Sequence, residues 1–283
     1  MAISLIIPTL NAGLHIENLL SMLSAQDTRP REVIIIDSSS EDATVEIARG
    51  FGARTMVIPR HDFNHGKTRN MAAMQAKGDI LVFLTQDASP NRNTLLSTLT
   101  APLQECDIAA SYGRHIPRGN ASPLEIFART FNYPDSPMTK SMDDIRKYGI
   151  KTFFFSNACS AIKRELFLSA GMFREGVRAN EDMLMAARLI LSGYKVAYVP
   201  EATVIHSHNY SLIQQFRRYY NIGSSLKNNA WVLDYAHPEG EGLRFIREQL
   251  AFVITQHEYH WIPYIFLESL AKYAGYRAGL VAG

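Results

Sequence analysis

The sequence predicts an α/β fold with an open, mostly parallel sheet and a C-terminal helical extension. Two observations favour this class. Short apolar runs of mainly aliphatic and β-branched residues occur four times in the first 84 residues, as in strands that are buried on both faces, at residues 4–7, 33–36, 55–58 and 80–84. Amphipathic segments separate these runs, so strand and helix alternate as in βαβ units.

The same patterns predict the remaining elements in order. Helices are expected at about residues 14–25, 41–50, 67–77 and 92–103, and another is expected to begin near residue 181. Further strands are expected at residues 107–115, 153–162, 195–199 and 203–206. Residues 117–150 are rich in Pro, Gly, Asn and Asp, so we expect them to form a loop over the sheet.

The composition changes after about residue 210. Of the 29 aromatic residues, 13 lie in the last 73 positions, and apolar residues recur there with helical spacing. We therefore expect an α/β domain over residues 1–210 and a helical subdomain over residues 211–283.

Composition excludes several classes of function. The net charge of +2 provides no general attraction to nucleic acid. The two cysteines, Cys106 and Cys159, are far apart in the sequence, which argues against a disulfide scaffold and fits a reducing compartment. No signal peptide or membrane span is expected. The expected location is the cytoplasm, or the inner face of the plasma membrane as a peripheral protein.

Polar residues follow the predicted strands, where ligands bind in open α/β sheets. Asp37 can hold a nucleoside or merely cap a turn, and Asp87 can hold a divalent cation or cap the next helix. Residues 60–70 place several cations beside the start of a helix, which suits a diphosphate, although they could also form a solvated basic surface.

Two later motifs carry carboxylates and histidines. Glu181 and Asp182 follow Asn180 at the start of a helix, where acids complement the helix dipole but also suit a general base. His206 and His208 are two residues apart at a strand end, so they share one face and could bind a metal.

Taken in order, these strand ends resemble the inverting family 2 glycosyltransferases, whose fold is called GT-A. The matching segments cover residues 6–11, 36–42, 66–70, 84–87, 180–182 and His206. A closer similarity, to bacterial rhamnosyltransferases that build surface polysaccharides, lies in residues 63–70, 84–88, 207–211 and 215–219. It implies dTDP-L-rhamnose as the donor and a saccharide or lipid-linked saccharide as the acceptor. The resemblance makes residues 1–210 the nucleotide-sugar-binding and catalytic domain.

The resemblance also implies roles for individual residues. It assigns the acceptor-activating base to Asp182, with Glu181 as its neighbour or alternative, and a Mg²⁺ or Mn²⁺ site to Asp87 and His206, with His208 as an alternative ligand. Donor binding falls to a set that spans several strand ends: Thr9, Asn11, Asp37, Lys67, Arg69, Gln86 and Asp87. One departure matters, since Thr85 stands where the family has the first carboxylate of its D-x-D motif.

The implied reaction is a direct displacement. Asp182 deprotonates an acceptor hydroxyl, which attacks the anomeric carbon opposite the nucleotide and inverts it, while the metal, Lys67 and Arg69 stabilise the departing diphosphate. Alternatives are a UDP-linked donor on the same fold and a catalytically silent glycan- or nucleotide-binding subunit. A dinucleotide oxidoreductase is disfavoured because the chain lacks G-x-G-x-x-G.

The C-terminal aromatics allow a membrane role. Residues 261–267 could lie in a headgroup region, or could simply pack a helical subdomain, the alternative that we favour. Residues 211–283 carry 7 Lys+Arg against 6 Asp+Glu, so we expect weak membrane-surface association at most, with a homodimer contact as the other use of this segment.

Overall fold

The predicted sheet is present, and its first four strands lie at the apolar runs. The structure, a computed structural model, describes residues 1–237 and 240–282. Within those ranges the strands are β1 (Ile3–Thr9), β2 (Glu32–Asp37), β3 (Arg54–Val57), β4 (Ile80–Leu84), β5 (Ser89–Pro90), β6 (Ile108–Ile116), β7 (Met138–Lys140), β8 (Cys159–Lys163) and β9 (Lys195–Ile205). They form one sheet in the order β3-β2-β1-β4-β8-β6-β9-β5, and β7 pairs with β9.

The sheet is mostly parallel, as expected. Strands β1, β2, β3, β4, β6 and β9 share one direction, whereas β5, β7 and β8 oppose it. Strand β8 separates β4 from β6, so the parallel β1–β4 block and the β6–β9 pair meet through an antiparallel strand. The carboxyl ends of β1, β2 and β4 therefore lie side by side, and the register places Thr9 opposite Asp37.

Helices cover both faces of the sheet. They are α1 (Gly13–Ser24), α2 (Thr44–Gly50), α3 (His65–Gln75), α4 (Leu95–Thr100), α5 (Pro123–Asn132), α6 (Ile145–Tyr148), α7 (Arg164–Ser169), α8 (Glu181–Leu191), α9 (Leu212–Lys227), α10 (Glu241–Thr255) and α11 (Ile262–Ala282). Alternate residues of β1, such as Ile6 and Leu5, enter opposite cores: one contains α3 and α8, the other α1 and α4. This arrangement brings the first turns of α3 and α8 towards the same edge of the sheet.

The prediction of a loop over residues 117–150 is wrong, because this segment contains α5, β7 and α6. Helix α5 has clear start signals: the Ser122 hydroxyl accepts a hydrogen bond from the Glu125 N–H, and Pro123 occupies the first turn. Its Pro- and Asn-rich flanks hid these signals. The segment thus adds a helix behind the carboxyl end of the sheet.

Two expected strand boundaries are also wrong. The aromatic run at 153–155 forms the end of a 3₁₀ turn and an extended connection, and β8 begins only at Cys159. Phe153 and Phe155 are buried in the core, so their apolar character is explained without a strand. The two strands expected at 195–206 are one strand, β9. Pro200 lies where the β6–β9 register shifts, a position that tolerates a missing N–H.

The chain ends in three helices. A Cβ atom added to Gly275 or Gly279 of α11 would overlap the carbonyl oxygens of Phe216 and Tyr220 in α9, so these backbones touch closely. Helix α10 packs through Val253 on Ile265 and on Leu124 of α5. Within the described residues, none of the helices is both long and apolar enough to span a bilayer. The division at residue 210 remains a prediction.

Candidate active site

A cavity of about 340 Å³ opens at the carboxyl ends of β1, β2 and β4. Three of the predicted donor-binding residues line it, namely Thr9, Arg69 and Gln86. The remaining lining residues come from the same strand ends and from the segment before α3: Pro8, Leu10, Ser38, Arg60, Phe63, His65 and Thr85. Its position is the usual ligand crevice of an open α/β sheet.

The cavity wall contains groups that suit a nucleotide. The Ser38 hydroxyl is buried and has no hydrogen-bond partner among the described residues. Phe63 keeps 40% of its surface exposed, so its ring is accessible to a ligand, and it meets the His65 ring edge-on with centroids 5.0 Å apart. Gln86 is fixed in place, since its side-chain amide exchanges two hydrogen bonds with the Leu10 backbone.

Asp37 lies behind this wall and is fully buried. Its carboxylate accepts hydrogen bonds from the Thr9 hydroxyl at 2.8 Å, the Ser40 hydroxyl at 2.6 Å and the Ser40 N–H at 2.7 Å. Asn11 is exposed and accepts a hydrogen bond from the Glu41 N–H. In this structure both residues tie the β1 and β2 loops together.

Lys67 and Arg69 differ in exposure and in their ion-pair partners, although both lie in the first turns of α3. Lys67 is partly exposed, with its ammonium 3.7 Å from the Asp62 carboxylate. Arg69 is only 3% exposed; one of its terminal nitrogens, Nη1, donates to the His65 carbonyl at 3.0 Å and lies 3.3 Å from Glu181. Helix α3 begins at an Asn64 cap, whose side chain accepts from the Gly66 and Lys67 N–H groups.

A candidate metal centre lies beside the cavity and combines Asp87 with both histidines. Their ligand atoms all lie within 4.8 Å of one another. His206 Nε2 is 3.5 Å from Asp87 Oδ1, and His208 Nε2 is 3.1 Å from Asp87 Oδ2. One carboxylate and two imidazoles form a plausible donor set for a divalent transition ion, so the residues present fit such a group.

The surroundings of Asp87 keep its carboxylate negatively charged. Burial alone would raise the pKa of Asp87, but its contacts with the two histidines outweigh burial and hold that pKa far below its usual range. Burial also lowers the pKa of His206, which favours the neutral imidazole that a metal requires.

The two carboxylates at the start of α8 have different surroundings. Glu181 is buried and held by Arg69 at 3.3 Å and by the Asn157 amide at 3.3 Å. Asp182 is half-buried and accepts only backbone N–H groups, from Asn157 at 3.2 Å and Met183 at 2.8 Å. Burial, reinforced by the negative charge of Glu181, raises the pKa of Asp182. The raised pKa makes the Asp182 carboxylate a stronger base than an ordinary aspartate.

This environment predicts a pH dependence of turnover. Because the pKa of Asp182 is raised to about 7, its basic form is lost as the pH falls through that value. We expect kcat/KM to decline about tenfold per pH unit below the pKa and to level off above it. Initial rates in a constant-ionic-strength buffer series between pH 5.5 and 9 measure this. A profile that stays flat down to pH 5.5 would remove Asp182 as the base.

A second, polar cavity of about 290 Å³ lies on the other side of His208. Its lining is rich in amides and hydroxyls and contains one aromatic ring: Arg118, Asn120, Ser207, His208, Asn209, Tyr210 and Gln214. Arg118 donates to the Asp87 carbonyl oxygen at 2.8 Å, so this cavity adjoins the metal centre directly.

Sequence reasoning missed several of these participants. The contact of Arg69 with Glu181 joins residues 112 positions apart, and Asn157 lies in a connection that was expected to be a strand. Ser38 could have been found, since it directly follows a buried strand that ends in Asp37. The sequence left open which of the two histidines lies beside Asp87, and in the structure both do.

Comparison with known proteins identifies the family. Residues 4–169 match the model of glycosyl transferase family 2. The chain is 42% identical over 279 residues to the O-antigen chain rhamnosyltransferase WbaN of Salmonella anatum, covering 98% of this chain and 88% of that protein. It is 41% identical over 282 residues to the O-antigen chain rhamnosyltransferase RfbN of Salmonella typhimurium, covering 99% and 90%.

Solved structures agree on the fold. The mannosyltransferase PcManGT of Pyrobaculum calidifontis, in complex with GDP-Man and Mn²⁺, superposes with a TM-score of 0.62 at 19% identity and covers 99% of this chain and 75% of that one. Staphylococcus aureus TarS with UDP-GlcNAc gives a TM-score of 0.57 at 18% identity, covering 99% and 90%. With this fold, the matched family model and the two near-full-length relatives, the chain belongs to the family 2 inverting glycosyltransferases with the GT-A fold.

Proposed function

We propose that this enzyme transfers L-rhamnose from dTDP-L-rhamnose to a hydroxyl of a growing surface polysaccharide or its lipid-linked precursor. The supporting observation is that the donor cavity and Asp87 lie at the carboxyl end of β4, beside the start of β8, where the Asn157 N–H contacts Asp182. Both near-full-length relatives are named as O-antigen rhamnosyltransferases, which supports the choice of sugar and acceptor class.

In this proposal each residue has one task. Asp182 accepts the proton of the acceptor hydroxyl, whose oxygen attacks the anomeric carbon as the bond to the nucleotide diphosphate breaks. Glu181 stays paired with Arg69, which keeps its negative charge beside Asp182 and helps raise the pKa of that base. Lys67 and Arg69 supply positive charge near the diphosphate.

Asp87, His206 and His208 would hold the divalent cation. The family resemblance allows Mg²⁺ or Mn²⁺, and the two imidazole ligands favour Mn²⁺, because Mg²⁺ prefers oxygen donors. When bound, the cation would supply positive charge to the leaving diphosphate. The second carboxylate of a D-x-D pair is replaced by Thr85, and the two histidines compensate for it in the donor set.

The cavity beside Phe63 predicts a preference for dTDP. Thymine differs from uracil by a 5-methyl group, and deoxyribose lacks the 2′-hydroxyl, so apolar contact with Phe63 is expected to outweigh any ribose contact. We expect dTDP to bind at least as tightly as UDP in isothermal titration calorimetry with Mn²⁺ present. We also expect dTDP-rhamnose to outcompete UDP-glucose in transfer.

The same titrations test the alternative donors. A clear preference for UDP would overturn the rhamnose assignment and support a UDP-linked sugar on the same fold. A panel of nucleotide sugars in thermal-shift assays extends the comparison, because the sugar that binds best raises the melting temperature most. Slow hydrolysis of the bound donor would exclude the silent-subunit alternative.

We further propose that contact with a membrane is weak and driven by apolar side chains. The outer face of α11 exposes Phe266, Leu267, Leu270 and Tyr273, whereas Ile265 on the opposite face packs on α10. Arg277 is the single charged residue among the exposed positions of α11 that the structure describes. Added salt therefore has little electrostatic attraction to an anionic membrane to screen.

In flotation with anionic liposomes, we therefore expect only a small bound fraction that does not change between low and high salt. Leu270→Ser is expected to reduce that fraction, and Leu14→Ser, at an even more exposed leucine on α1, is the matched control. Strong binding that high salt removes would contradict this proposal. Absence of binding together with a dimer in light scattering would assign the α11 face to a homodimer.

A further inference from the structure

A third histidine lies directly behind the candidate metal centre. His115, near the end of β6, is 2% exposed, and its Nδ1 lies 3.4 Å from Nδ1 of His206. Its ring stacks on Tyr133, with centroids 4.1 Å apart and planes inclined by 20°. Stacking and burial fix the ring, so its nitrogens cannot turn away from His206.

Arg129 of α5 determines which nitrogen of His115 carries the proton. Its Nη1 lies 3.3 Å from His115 Nδ1. A guanidinium can only donate, so Nδ1 of His115 must be the bare, accepting nitrogen and Nε2 must carry the hydrogen. The Nε2 atom is buried and has no partner among the described residues, so no contact on that side competes with Arg129 for the choice of tautomer.

A bare Nδ1 on His115 constrains His206 in turn. Two accepting nitrogens at 3.4 Å would repel each other, so Nδ1 of His206 must carry a hydrogen and donate it. The Nε2 atom of His206 then presents its lone pair on the side of Asp87 and His208. That is the tautomer a metal-binding imidazole needs, with its other nitrogen donating to a fixed acceptor.

Helix α5 also fixes the backbone of His208, the second histidine of the candidate metal centre. Glu125 Oε1 accepts from Arg129 Nε at 2.6 Å and from the backbone N–H of His208 at 3.1 Å. One carboxylate on α5 therefore fixes both the arginine that orients His115 and the chain that carries His208.

We propose that His115, oriented by the Glu125–Arg129 pair of α5, is a positioning residue that sets the tautomer of His206 and preorganises the metal centre. This inference rests on the proposed metal site, because it assigns a purpose to residues that touch neither donor nor acceptor.

The first test uses the protein without metal. Nitrogen-15 spectra of histidine-labelled protein at pH 8 report which ring nitrogens carry hydrogen, and His206 is assigned by comparison with His206→Gln. We expect a hydrogen on Nδ1 of His206 in the wild type and loss of that preference in Arg129→Met. A bare Nδ1 on His206 in the wild type would overturn the inference, whether or not the protein binds a metal.

The second test measures Mn²⁺ affinity by electron paramagnetic resonance of the free ion. His115→Phe keeps the stacking ring but removes the acceptor, and we expect the Kd for Mn²⁺ to rise about 10–100-fold, the usual effect of losing such a partner. Arg129→Met, which leaves His115 in place, is expected to weaken Mn²⁺ in the same direction. His15→Phe, at an exposed histidine of α1, is the control and should match the wild type.

The outcomes separate the two claims. If both folded variants, checked by circular dichroism, bind Mn²⁺ like the wild type, the positioning role is wrong while the metal site stands. If the wild type itself does not bind Mn²⁺, the proposed metal site fails, and the nitrogen-15 spectra still decide the tautomer.

Discussion

Replacing Asp182 by Asn is expected to reduce kcat about 10²–10⁴-fold, the usual contribution of a general base. The amide keeps the size of the side chain, but its single oxygen can accept from only one of the two backbone N–H groups, of Asn157 and Met183, that the two carboxylate oxygens serve. Circular dichroism checks that the variant stays folded. The amide cannot take up the acceptor proton. Donor affinity should therefore be retained while turnover is lost.

Turnover and dTDP affinity need to be measured together for this variant. Asp143→Asn, at an exposed aspartate in a 3₁₀ turn, is the matched control and should leave both quantities unchanged. Unaltered turnover in Asp182→Asn would rule out Asp182 as the base. If Glu181→Gln alone abolished transfer, the role would move one residue towards the N-terminus.

Replacing Asp87 by Ala should have the second-largest effect. The change removes the one carboxylate that both histidines face, and we expect Mn²⁺-dependent dTDP binding to weaken at least tenfold, with a loss of kcat on the order of 10²–10³-fold. Chelation of the wild type with EDTA should lower its dTDP affinity to the level of the variant. The variant itself should then be insensitive to EDTA.

Asp107→Ala provides the control, because Asp107 forms only a surface ion pair with Lys195 at 2.8 Å. His206→Ala should resemble Asp87→Ala if the histidine is a ligand. Full dTDP affinity in EDTA would instead show that Lys67 and Arg69 are sufficient for the diphosphate, and His206→Ala would then behave like the wild type.

The sequence predicted the edge of the sheet better than the contacts between the residues on it. Apolar runs identify buried strands, so Thr9, Asp37 and Asp87 could be placed at strand ends without coordinates. The pairing of Arg69 with Glu181 could not, because it depends on α3 and α8 packing in the same core.

Helical periodicity could have separated Lys67 from Arg69. Side chains two residues apart on a helix point in directions about 200° apart, so if one of the pair faces the core, the other faces the solvent. Helix α5 escaped prediction for a different reason: its proline- and asparagine-rich flanks looked like a loop. The residues that support His206 were therefore hidden along with it.

The close packing of α11 on α9 links the last helix to the segment that carries His208, a candidate metal ligand. Helix α9 begins at Leu212, four residues after His208, and its contact with α11 depends on Gly275 and Gly279 having no side chains. Any substitution that separates these helices destabilises α9, which begins just after the segment that carries His208. If a cation binds His208 and the helix pair strengthens that binding, linkage requires the cation to stabilise the pair by the same free energy.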